Sequence, residues 1–382
     1  MRFSILIPAK GRPSYLRDAI QSVLLQDDVV ADVLVSNNGA DPELRDVVAR
    51  FGRHKNLRYV EQPSVLNMPV HWETASRLLQ GEYVIVLTDR SLLRQGALQR
   101  LSSIIDGASE TIDTIAWSWD LYYDHLRILL PHHANSNERG FVEPQHILSN
   151  FAKGMSAYPY ALPRGLNSCV HRSVIDQIRS IRGQAFLPVN PDFSFAFSVL
   201  SVAQNLYYEP TPLFVSQGLK VSNGSIGYEG DAQRYTNELG AEGEFKFVPI
   251  KSSFVQNSIH EDFLRTMAVF RNDAMVGEWN RKAYYLQSIE ELQAKRGAAR
   301  LTAARLSELE DGINHALACE TESLRSEVLR EARRHNSVRR ASIGFAKRLL
   351  RSKIEWLRAI TLRFRGGHHC SSALEAAGFK GR

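Results

Sequence analysis

Charged side chains follow two apolar runs in the first hundred residues of the chain. Lys10 and Arg12 come directly after the run at residues 3–8, and Asp89 comes after the run at 83–87. Two cations beside the free backbone N–H groups of a helix start would attract a diphosphate. A carboxylate delivered by a buried strand to the edge of a sheet would lie where such sheets bind ligands. Each position also has an ordinary interpretation: solvated cations in a turn, and a helix N-cap or a salt bridge at Asp89.

A pair of asparagines, Asn37 and Asn38, follows a third apolar run at residues 33–36. An amide side chain offers a donor and an acceptor together, which suits the edge of a nucleobase, but Asn-Asn-Gly is also ordinary turn chemistry. The loop after the first run has neither the Gly/Lys/Ser-Thr spacing of a phosphate-binding P-loop nor the triple glycine of a dinucleotide-binding fold. We therefore exclude those two nucleotide-binding classes.

The elements that must carry these residues follow from the hydrophobic periods. The runs at 3–8, 33–36, 57–60 and 83–87 predict buried strands, and a helix-like segment follows each run. In the clearest of these segments, which begins near Ser14, the apolar residues form a single helical stripe. Strands that alternate with helices predict an α/β fold, in which a mostly parallel sheet is flanked by helices on both faces.

The chain is predicted to divide into three parts. Residues 1–225 form the α/β domain, residues 226–272 form a connecting region, and residues 273–382 form a basic helical extension. The extension is predicted to be helical because the composition after residue 272 is rich in Ala, Leu, Glu and Arg and lacks Pro. Further elements predicted inside the first part are a strand at 115–121, a long surface loop at 131–164 with a helix at 144–151, and helices at 173–181 and 193–203.

The composition is that of a globular protein, with 44% hydrophobic and 23% charged residues. The three cysteines lie far apart and without metal-type spacing, so neither a disulfide framework nor a zinc module is expected. The first residues lack the length and cleavage site of a signal peptide, and the longest apolar stretch is too short to span a bilayer. These features favour a cytoplasmic location.

The net charge of +6 is unevenly distributed. Residues 331–382 carry a net charge of +10, which leaves −4 for residues 1–330. Residues 345–358 mix apolar and cationic side chains as an interfacial helix does, which favours peripheral contact with an anionic membrane, at its inner face. Packing against the body of the protein, or pairing with another copy in a homo-oligomer, remains an alternative. We expect no nucleic-acid partner.

Taken together, these segments resemble the family 2 glycosyltransferases, which are nucleotide-sugar enzymes of the GT-A fold. The resemblance extends over roughly the first hundred residues and lies in the order and spacing of several short pieces. These pieces are Pro8-Ala9-Lys10-Gly11-Arg12-Pro13, Ser36-Asn37-Asn38-Gly39, Met68-Pro69-Val70-His71-Trp72-Glu73, Leu87-Thr88-Asp89 and Gly96-Ala97-Leu98.

The resemblance implies which residues hold the nucleotide-sugar donor. They are Ala9, Lys10, Arg12, Asn37, Asn38, Asn67, Thr88, Asp89 and Arg90. It also implies that Asp89 begins an acidic motif that holds Mg²⁺ or Mn²⁺. Relatives usually carry three acids in a row there, whereas this chain has Asp89-Arg90-Ser91. A guanidinium stands where the charge of the metal would act, so we predict that Arg90 helps to neutralise the diphosphate leaving group.

The resemblance further implies a catalytic base. Inverting members carry an Asp or Glu just before a helix in the second half of the catalytic domain, and Asp192 in Asn190-Pro191-Asp192-Phe193 matches that place. Capping of the following helix would by itself also explain an Asp here.

Other side chains could contribute at the rim of the site. Stacking on an acceptor sugar is open to Trp117, Trp119, Tyr122 and Tyr123, although aromatic residues that alternate along a strand more often belong to the core. His171 and Arg172 are candidates for the rim of the active site.

The function implied is transfer of a sugar from a nucleoside-diphosphate donor to a hydroxyl acceptor, with inversion, in bacterial polysaccharide or glycoconjugate assembly. The acceptor would be a glycan, a lipid-linked molecule or a protein. Because a fold does not dictate a function, a non-catalytic binding or scaffold protein on the same fold is the alternative.

Overall fold

The structure is a computed structural model of the 382-residue chain. It describes residues 2–26, 29, 31–132, 136–155, 161–187, 190–218, 221–222, 227–233, 245–338, 359 and 362–379. The interfacial helix predicted at residues 345–358 lies outside these residues.

The described residues form strands and helices that alternate through the first half of the chain. The strands are β1 (Phe3–Ala9), β2 (Ala31–Asn37), β3 (Leu57–Glu61), β4 (Tyr83–Val86), β5 (Ser91–Leu93), β6 (Thr114–Tyr123), β7 (Ile128–Leu130), β8 (Gly140–Val142), β9 (Ser168–His171), β10 (Leu206–Ser216) and β11 (His368–His369). The helices are α1 (Pro13–Leu24), α2 (Pro42–Ala49), α3 (Met68–Ser76), α4 (Ala97–Asp106), α5 (Pro144–Ala152), α6 (Arg172–Arg182), α7 (Pro191–Val202), α8 (Val255–Val269), α9 (Asp273–Gly277), α10 (Arg281–Ala298), α11 (Ala303–Ala318), α12 (Glu322–Val338) and α13 (Ala373–Ala376).

The strands make a single mixed sheet. Its main path runs β11-β7-β6-β9-β4-β1-β2-β3, and β10 joins it beside β6. The strands β3, β2, β1 and β4 are parallel, as predicted, whereas β9 pairs antiparallel with both β4 and β6. The α/β fold class is therefore confirmed, with four parallel strands from the first ninety residues and a further parallel pairing between β6 and β10.

Helices cover both faces of this parallel part because successive side chains of a strand point to opposite faces. On one face, Ile5 and Ile7 of β1 belong to the hydrophobic cluster that includes α1, α2 and α4. On the other face, Leu6 packs in a cluster with α3, α6 and α7. The carboxyl ends of the strands are thereby held at one edge of a rigid core.

The helix α7 joins the sheet to a second layer of helices. Its Phe195 packs toward the sheet, whereas Phe193 and Phe197 belong to a different cluster with α5, α8, α10 and α11. A helix that is apolar on all sides is expected to be buried in this way. The helical extension predicted from residue 273 therefore shares a core with α7.

Sequence reasoning missed several strands, of which β10 is the longest. Pro210 and Pro212 lie within it, and proline lacks the N–H group that a central strand needs. The pairing of β10 with β6 shifts register between Glu209 and Phe214, so both prolines lie where the ladder is interrupted. In the predicted loop at 131–164, residues 140–142 form β8.

The end of the chain returns to the sheet. β11 pairs with β7, and Tyr122 donates a hydrogen bond to the carbonyl of Cys370 at 3.1 Å. Phe379 packs with Leu92 and Val215 in a cluster of its own. The predicted helical extension thus includes a short strand that extends the sheet beside β7 and a short helix that packs in a cluster with Leu92 of β5.

Among the described residues, no helix is both long enough and apolar enough to cross a membrane.

Candidate active site

A cavity of about 1010 Å³ opens at the carboxyl ends of β1 and β4. Loops after these strands form part of its wall, the first turn of α7 forms another part, and α8 and α10 contribute side chains from the second layer. The carboxyl edge of parallel strands is the expected place for a ligand in such a sheet.

An ion pair between a partly exposed arginine and a buried carboxylate joins the two strand-end loops. Arg12 precedes α1, and its Nε donates to Oδ2 of Asp89 at 2.9 Å while its Nη2 lies 2.9 Å from Oδ1. The side chain of Asp89 is fully buried. Burial raises the pKa of Asp89, and the charges of Arg12 and Arg90 oppose that shift. A two-point contact of this kind fixes the guanidinium plane as well as its position.

Arg90 adds a second guanidinium beside this pair. Its Nη1 donates to the backbone carbonyl of Gln217 at 2.7 Å, which ties the loop after β4 to the end of β10. Burial lowers the pKa of Arg90, and the charge of Arg12 lowers it further. Lys10 also lies on the cavity wall, so three cationic residues line the cavity close to Asp89 in the sequence or in contact with it. This end of the cavity is suited to an anion such as a diphosphate.

The side chains at Asp89 do not fit a divalent cation. Mg²⁺ and Mn²⁺ require several hard oxygen ligands, whereas both carboxylate oxygens of Asp89 face Arg12 and the next residue is Arg90. In the part of the chain that the structure describes, no group of three or more His, Cys, Asp or Glu side chains could hold a metal ion.

The predicted donor-binding residues separate into two groups. Those on the cavity wall are Ala9, Lys10, Arg12, Asn38, Thr88, Asp89 and Arg90. Asn37 lies outside the cavity lining, and its side-chain amide donates to the carbonyl of Asp41 and to the hydroxyl of Tyr59, both at 2.8 Å. Asn67 also lies outside, and caps α3 by accepting from the N–H group of Val70 at 3.0 Å.

Asn38 reaches the cavity wall with its amide already engaged. Its Nδ2 donates to the carbonyl of Leu66 at 2.9 Å, and its Oδ1 accepts from the N–H group of Leu66 at 2.8 Å. The amide therefore holds the loop before α3 beside the end of β2. The contacts of Asn37 and Asn38 are those of a turn, which is the ordinary interpretation of Asn-Asn-Gly from the sequence.

Asp192 lies on the wall of the same cavity as Asp89. The helix α7 begins at Pro191 with Asn190 as its N-cap, so Asp192 occupies the first turn and is not the capping residue. The half-buried carboxylate has its pKa raised by burial above the ordinary value of 3.8, and the charge of Arg164 opposes the shift. A carboxylate with a raised pKa is better matched to accepting a proton.

Arg164 packs between two aromatic rings beside Asp192. Its Cζ lies 4.6 Å from the ring centroid of Trp119 and 5.4 Å from that of Phe193. Of the aromatic residues predicted to stack on a sugar, Trp119 lines the cavity, whereas Trp117 and Tyr122 are buried in the core. The side chain of Arg164 was not singled out from the sequence, because the loop that carries it has no regular period.

His71 is a further cavity residue that sequence reasoning did not assign. It lies in the Met68–Glu73 motif, and its Nε2 is 2.8 Å from the hydroxyl of Ser36. Burial, aided by the charge of Lys10, lowers the pKa of His71 to about 4, so the ring is neutral at physiological pH.

His171 and Arg172, by contrast, lie outside the cavity lining. His171 caps α6, and Arg172 donates to the carbonyls of Leu79 and Gly81.

The helical wall of the cavity is held by a buried charge pair on α10. Glu291 accepts from the N–H groups of Val255 and Gln256, both at 2.9 Å, and so caps the start of α8. The Nζ of Lys295 lies 3.0 Å from Glu291 and donates to the carbonyl of Gly230 at 2.8 Å. Both side chains are fully buried, which lowers the pKa of Lys295 and raises that of Glu291. The pair therefore positions two segments that line the cavity.

Replacing Lys295 by Met should destabilise the protein, because a buried carboxylate then loses its cation. We expect a loss of about 3–5 kcal/mol in the free energy of unfolding, measured by chemical denaturation. The control is Lys282→Met on the same helix, because the side chain of Lys282 is about one-third exposed and its Nζ pairs with Glu331 at 3.2 Å. That change should cost less than about 1 kcal/mol. Equal losses in the two variants would contradict the role assigned to Lys295.

Comparison with known proteins gives a family for the first part of the chain. Residues 4–158 match the model of the family described as "Glycosyl transferase family 2". No protein with a curated description matches the chain at a significant level.

Similar solved structures include S. aureus TarS 1–349 in complex with UDP, at 13% identity and a TM-score of 0.49, covering 88% of this chain and 91% of that chain. The same protein in complex with UDP-GlcNAc is 14% identical, covers 83% of this chain and 90% of that chain, and has a TM-score of 0.46. The mannosyltransferase PcManGT from Pyrobaculum calidifontis in complex with GDP-Man and Mn²⁺ is 12% identical, with 99% and 86% coverage and a TM-score of 0.44.

Proposed function

We propose a reaction and residue roles from the premise that residues 4–158 form a family 2 glycosyltransferase domain, which makes this protein a glycosyltransferase. The reaction proposed is transfer of a sugar from a nucleoside diphosphate to a hydroxyl acceptor, with inversion at the anomeric carbon. Bacterial polysaccharide or glycoconjugate assembly is the setting proposed. The observation that carries the proposal is the shared cavity, which has cations at the strand ends and the carboxylate of Asp192 on its wall.

The cationic end is proposed to hold the diphosphate. Lys10, Arg12 and Arg90 would balance the negative charge that grows on the diphosphate as the sugar departs, and this stabilisation acts most strongly where water is excluded. In this proposal Asp89 orients Arg12 through its two-point contact and does not act as a metal ligand.

Asp192 is proposed as the catalytic base. As the acceptor oxygen forms a bond to the anomeric carbon, the bond from that carbon to the diphosphate oxygen breaks, and Asp192 takes the hydroxyl proton. An in-line displacement of this kind inverts the anomeric configuration. The cavity would have to hold the attacking oxygen and the leaving group on opposite sides of the sugar.

The rival function is non-catalytic binding of a nucleotide sugar, and the depleted acidic motif Asp89-Arg90-Ser91 is what favours it. A thermal-shift panel of UDP-, GDP-, CDP- and dTDP-linked sugars, with and without Mn²⁺, would identify the donor. Release of the nucleoside diphosphate from that donor would then separate an enzyme from a binding protein.

Replacing Asp192 by Asn should lower turnover by about 10²-fold or more and leave the KM for the donor unchanged, because only the base is lost. In the unchanged protein, turnover should rise with pH as Asp192 loses its proton, with a midpoint above 3.8. Asp176→Asn, at an exposed carboxylate on α6, serves as the control. If Asp192→Asn keeps full turnover, Asp192 is not the base.

Replacing Arg90 by Ala should lower turnover by about 10²–10³-fold when no metal is added, because a preorganised cation is removed from the leaving group. Arg17→Ala, at an exposed position on α1, should leave turnover unchanged. Turnover would be measured in the presence of a chelator and again with Mn²⁺. Turnover that is the same in Arg90→Ala as in the unchanged protein would refute this role.

Peripheral association of the basic tail with an anionic membrane is also proposed, and it rests on the sequence. Deleting the whole tail is a poor test, because residues 368–379 complete the sheet. Changing Lys347, Arg348, Arg351 and Lys353 to Gln removes positive charge from the tail and leaves residues 368–379 in place.

Each basic residue near an anionic surface contributes about 1 kcal/mol, so these four substitutions should abolish binding to phosphatidylglycerol vesicles in a sedimentation assay. Phosphatidylcholine vesicles are the control surface, and neither protein should bind them. Equal binding of the two proteins to phosphatidylglycerol would contradict the proposal.

A further inference from the structure

The wall of the cavity that α8 and α10 build differs in chemistry from the strand ends. Gln256 comes from α8, and Gln287 and Glu290 come from α10. Amide and carboxylate groups at this wall replace the cations that line the strand ends. A cavity with such a division can hold two different kinds of substrate.

A chain of hydrogen bonds fixes the orientation of Gln287. Nε1 of Trp279 donates to Nδ1 of His260 at 3.1 Å, and an indole nitrogen can only donate. Nδ1 of His260 must therefore be the acceptor, which places the ring proton on Nε2. Burial lowers the pKa of His260 to about 4, so the ring is neutral and keeps a single proton. Nε2 of His260 then donates to Oε1 of Gln287 at 2.7 Å.

These hydrogen bonds determine which end of the Gln287 amide can bind a ligand. Because Oε1 accepts from His260, the NH₂ group is directed away from that histidine. Gln287 is half-buried and lines the cavity, so the cavity receives a hydrogen-bond donor at this point. Glu290 lies three residues further along α10, on the same face of the helix, and its carboxylate can only accept.

A donor next to an acceptor is what adjacent hydroxyl groups of a sugar require, since each hydroxyl both donates and accepts. The charge of this wall also discriminates between acceptors. Glu290 on this wall, Asp192 on α7 and Glu229 all carry carboxylates on the cavity lining. They outnumber the cation of Arg164 beside Asp192 and would disfavour a phosphorylated or otherwise anionic acceptor.

We propose that Gln287 and Glu290 form a subsite for the hydroxyl groups of an uncharged carbohydrate acceptor, with Gln287 held in place by Trp279 and His260. This inference rests on the glycosyltransferase function proposed above and adds the class of the acceptor. In it Gln287 and Glu290 bind substrate, whereas Trp279 and His260 are positioning residues.

The test measures release of the nucleoside diphosphate from the donor that the thermal-shift panel selects. Release is followed in water alone and with methyl glycosides of glucose, galactose, mannose and N-acetylglucosamine. At least one glycoside should accelerate release, and glucose 6-phosphate should not. Faster release with glucose 6-phosphate than with every glycoside would overturn the inference.

Gln287→Glu is the decisive variant, because the new carboxylate still accepts from His260 but has no NH₂ group to donate. We expect the KM for the active glycoside to rise about tenfold or more, since a hydrogen bond to the substrate is lost. The KM for the donor should not rise in the same way, because Gln287 lies on the acceptor wall. Gln177→Glu makes the same chemical change on the exposed face of α6 and should leave both KM values and the slow release in water unaltered.

Trp279→Phe tests the positioning role. Without the indole N–H group, His260 can carry its proton on Nδ1, and the amide of Gln287 is no longer held in one orientation. The KM for the glycoside should rise several-fold, with no change in the KM for the donor. In the double variant with Gln287→Glu the two effects should not add, because both act through the same amide. Fully additive effects would show that Trp279 does not act through Gln287.

The outcomes separate this inference from the function on which it rests. If no donor releases its nucleoside diphosphate under any condition, both proposals fail. If a donor is hydrolysed but no glycoside accelerates its release, or if Gln287→Glu leaves the KM for the glycoside unchanged, the acceptor subsite alone is refuted.

Discussion

The ion pair between Arg12 and the buried Asp89 is the contact on which the rest of the site depends. It joins the loop after β1 to the loop after β4 across a distance of 77 residues in the sequence. A buried carboxylate without a cation is costly, so the pair holds both loops at fixed positions. Arg90 donates to the backbone carbonyl of Gln217, just after β10, and the positive end of the cavity follows from this arrangement of Arg12 and Arg90. The positive charge of the site therefore depends on three segments, namely those that follow β1, β4 and β10.

The sequence was sufficient for the elements that have a clear period. Residues 3–9 and 83–86 form the predicted strands, and the residues that follow them meet at one edge because parallel strands end on the same side. Asp89, which follows β4, and Asp192, which the family resemblance singled out, both line one cavity. What these side chains do there remains a prediction, since position alone does not assign a proton or a charge to a reaction step.

Sequence reasoning was weaker where a side chain had more than one possible partner. An asparagine after a strand can serve a ligand or its own turn, and Asn37 serves the turn through Asp41 and Tyr59. The contribution of α8 and α10 to the cavity was not predicted, because the orientation of Gln287 depends on a hydrogen bond from His260 on another helix. Long-range contacts of this kind leave no local pattern in the sequence. The strand β10 was not predicted because it contains two prolines, which the sheet accommodates at a shift in register.

The return of the last residues to the sheet has a consequence for how the protein is made. Leu92, Tyr122, Leu129 and Val215 pack with residues 370–379, so during synthesis these apolar side chains stay uncovered until residues 370–379 have left the ribosome. Leu92 belongs to the strand that begins one residue after Arg90, so the packing around this part of the site is complete only after residues 370–379 have been made. Until then, the growing chain exposes an apolar surface that can aggregate with neighbouring polypeptides unless a chaperone binds it.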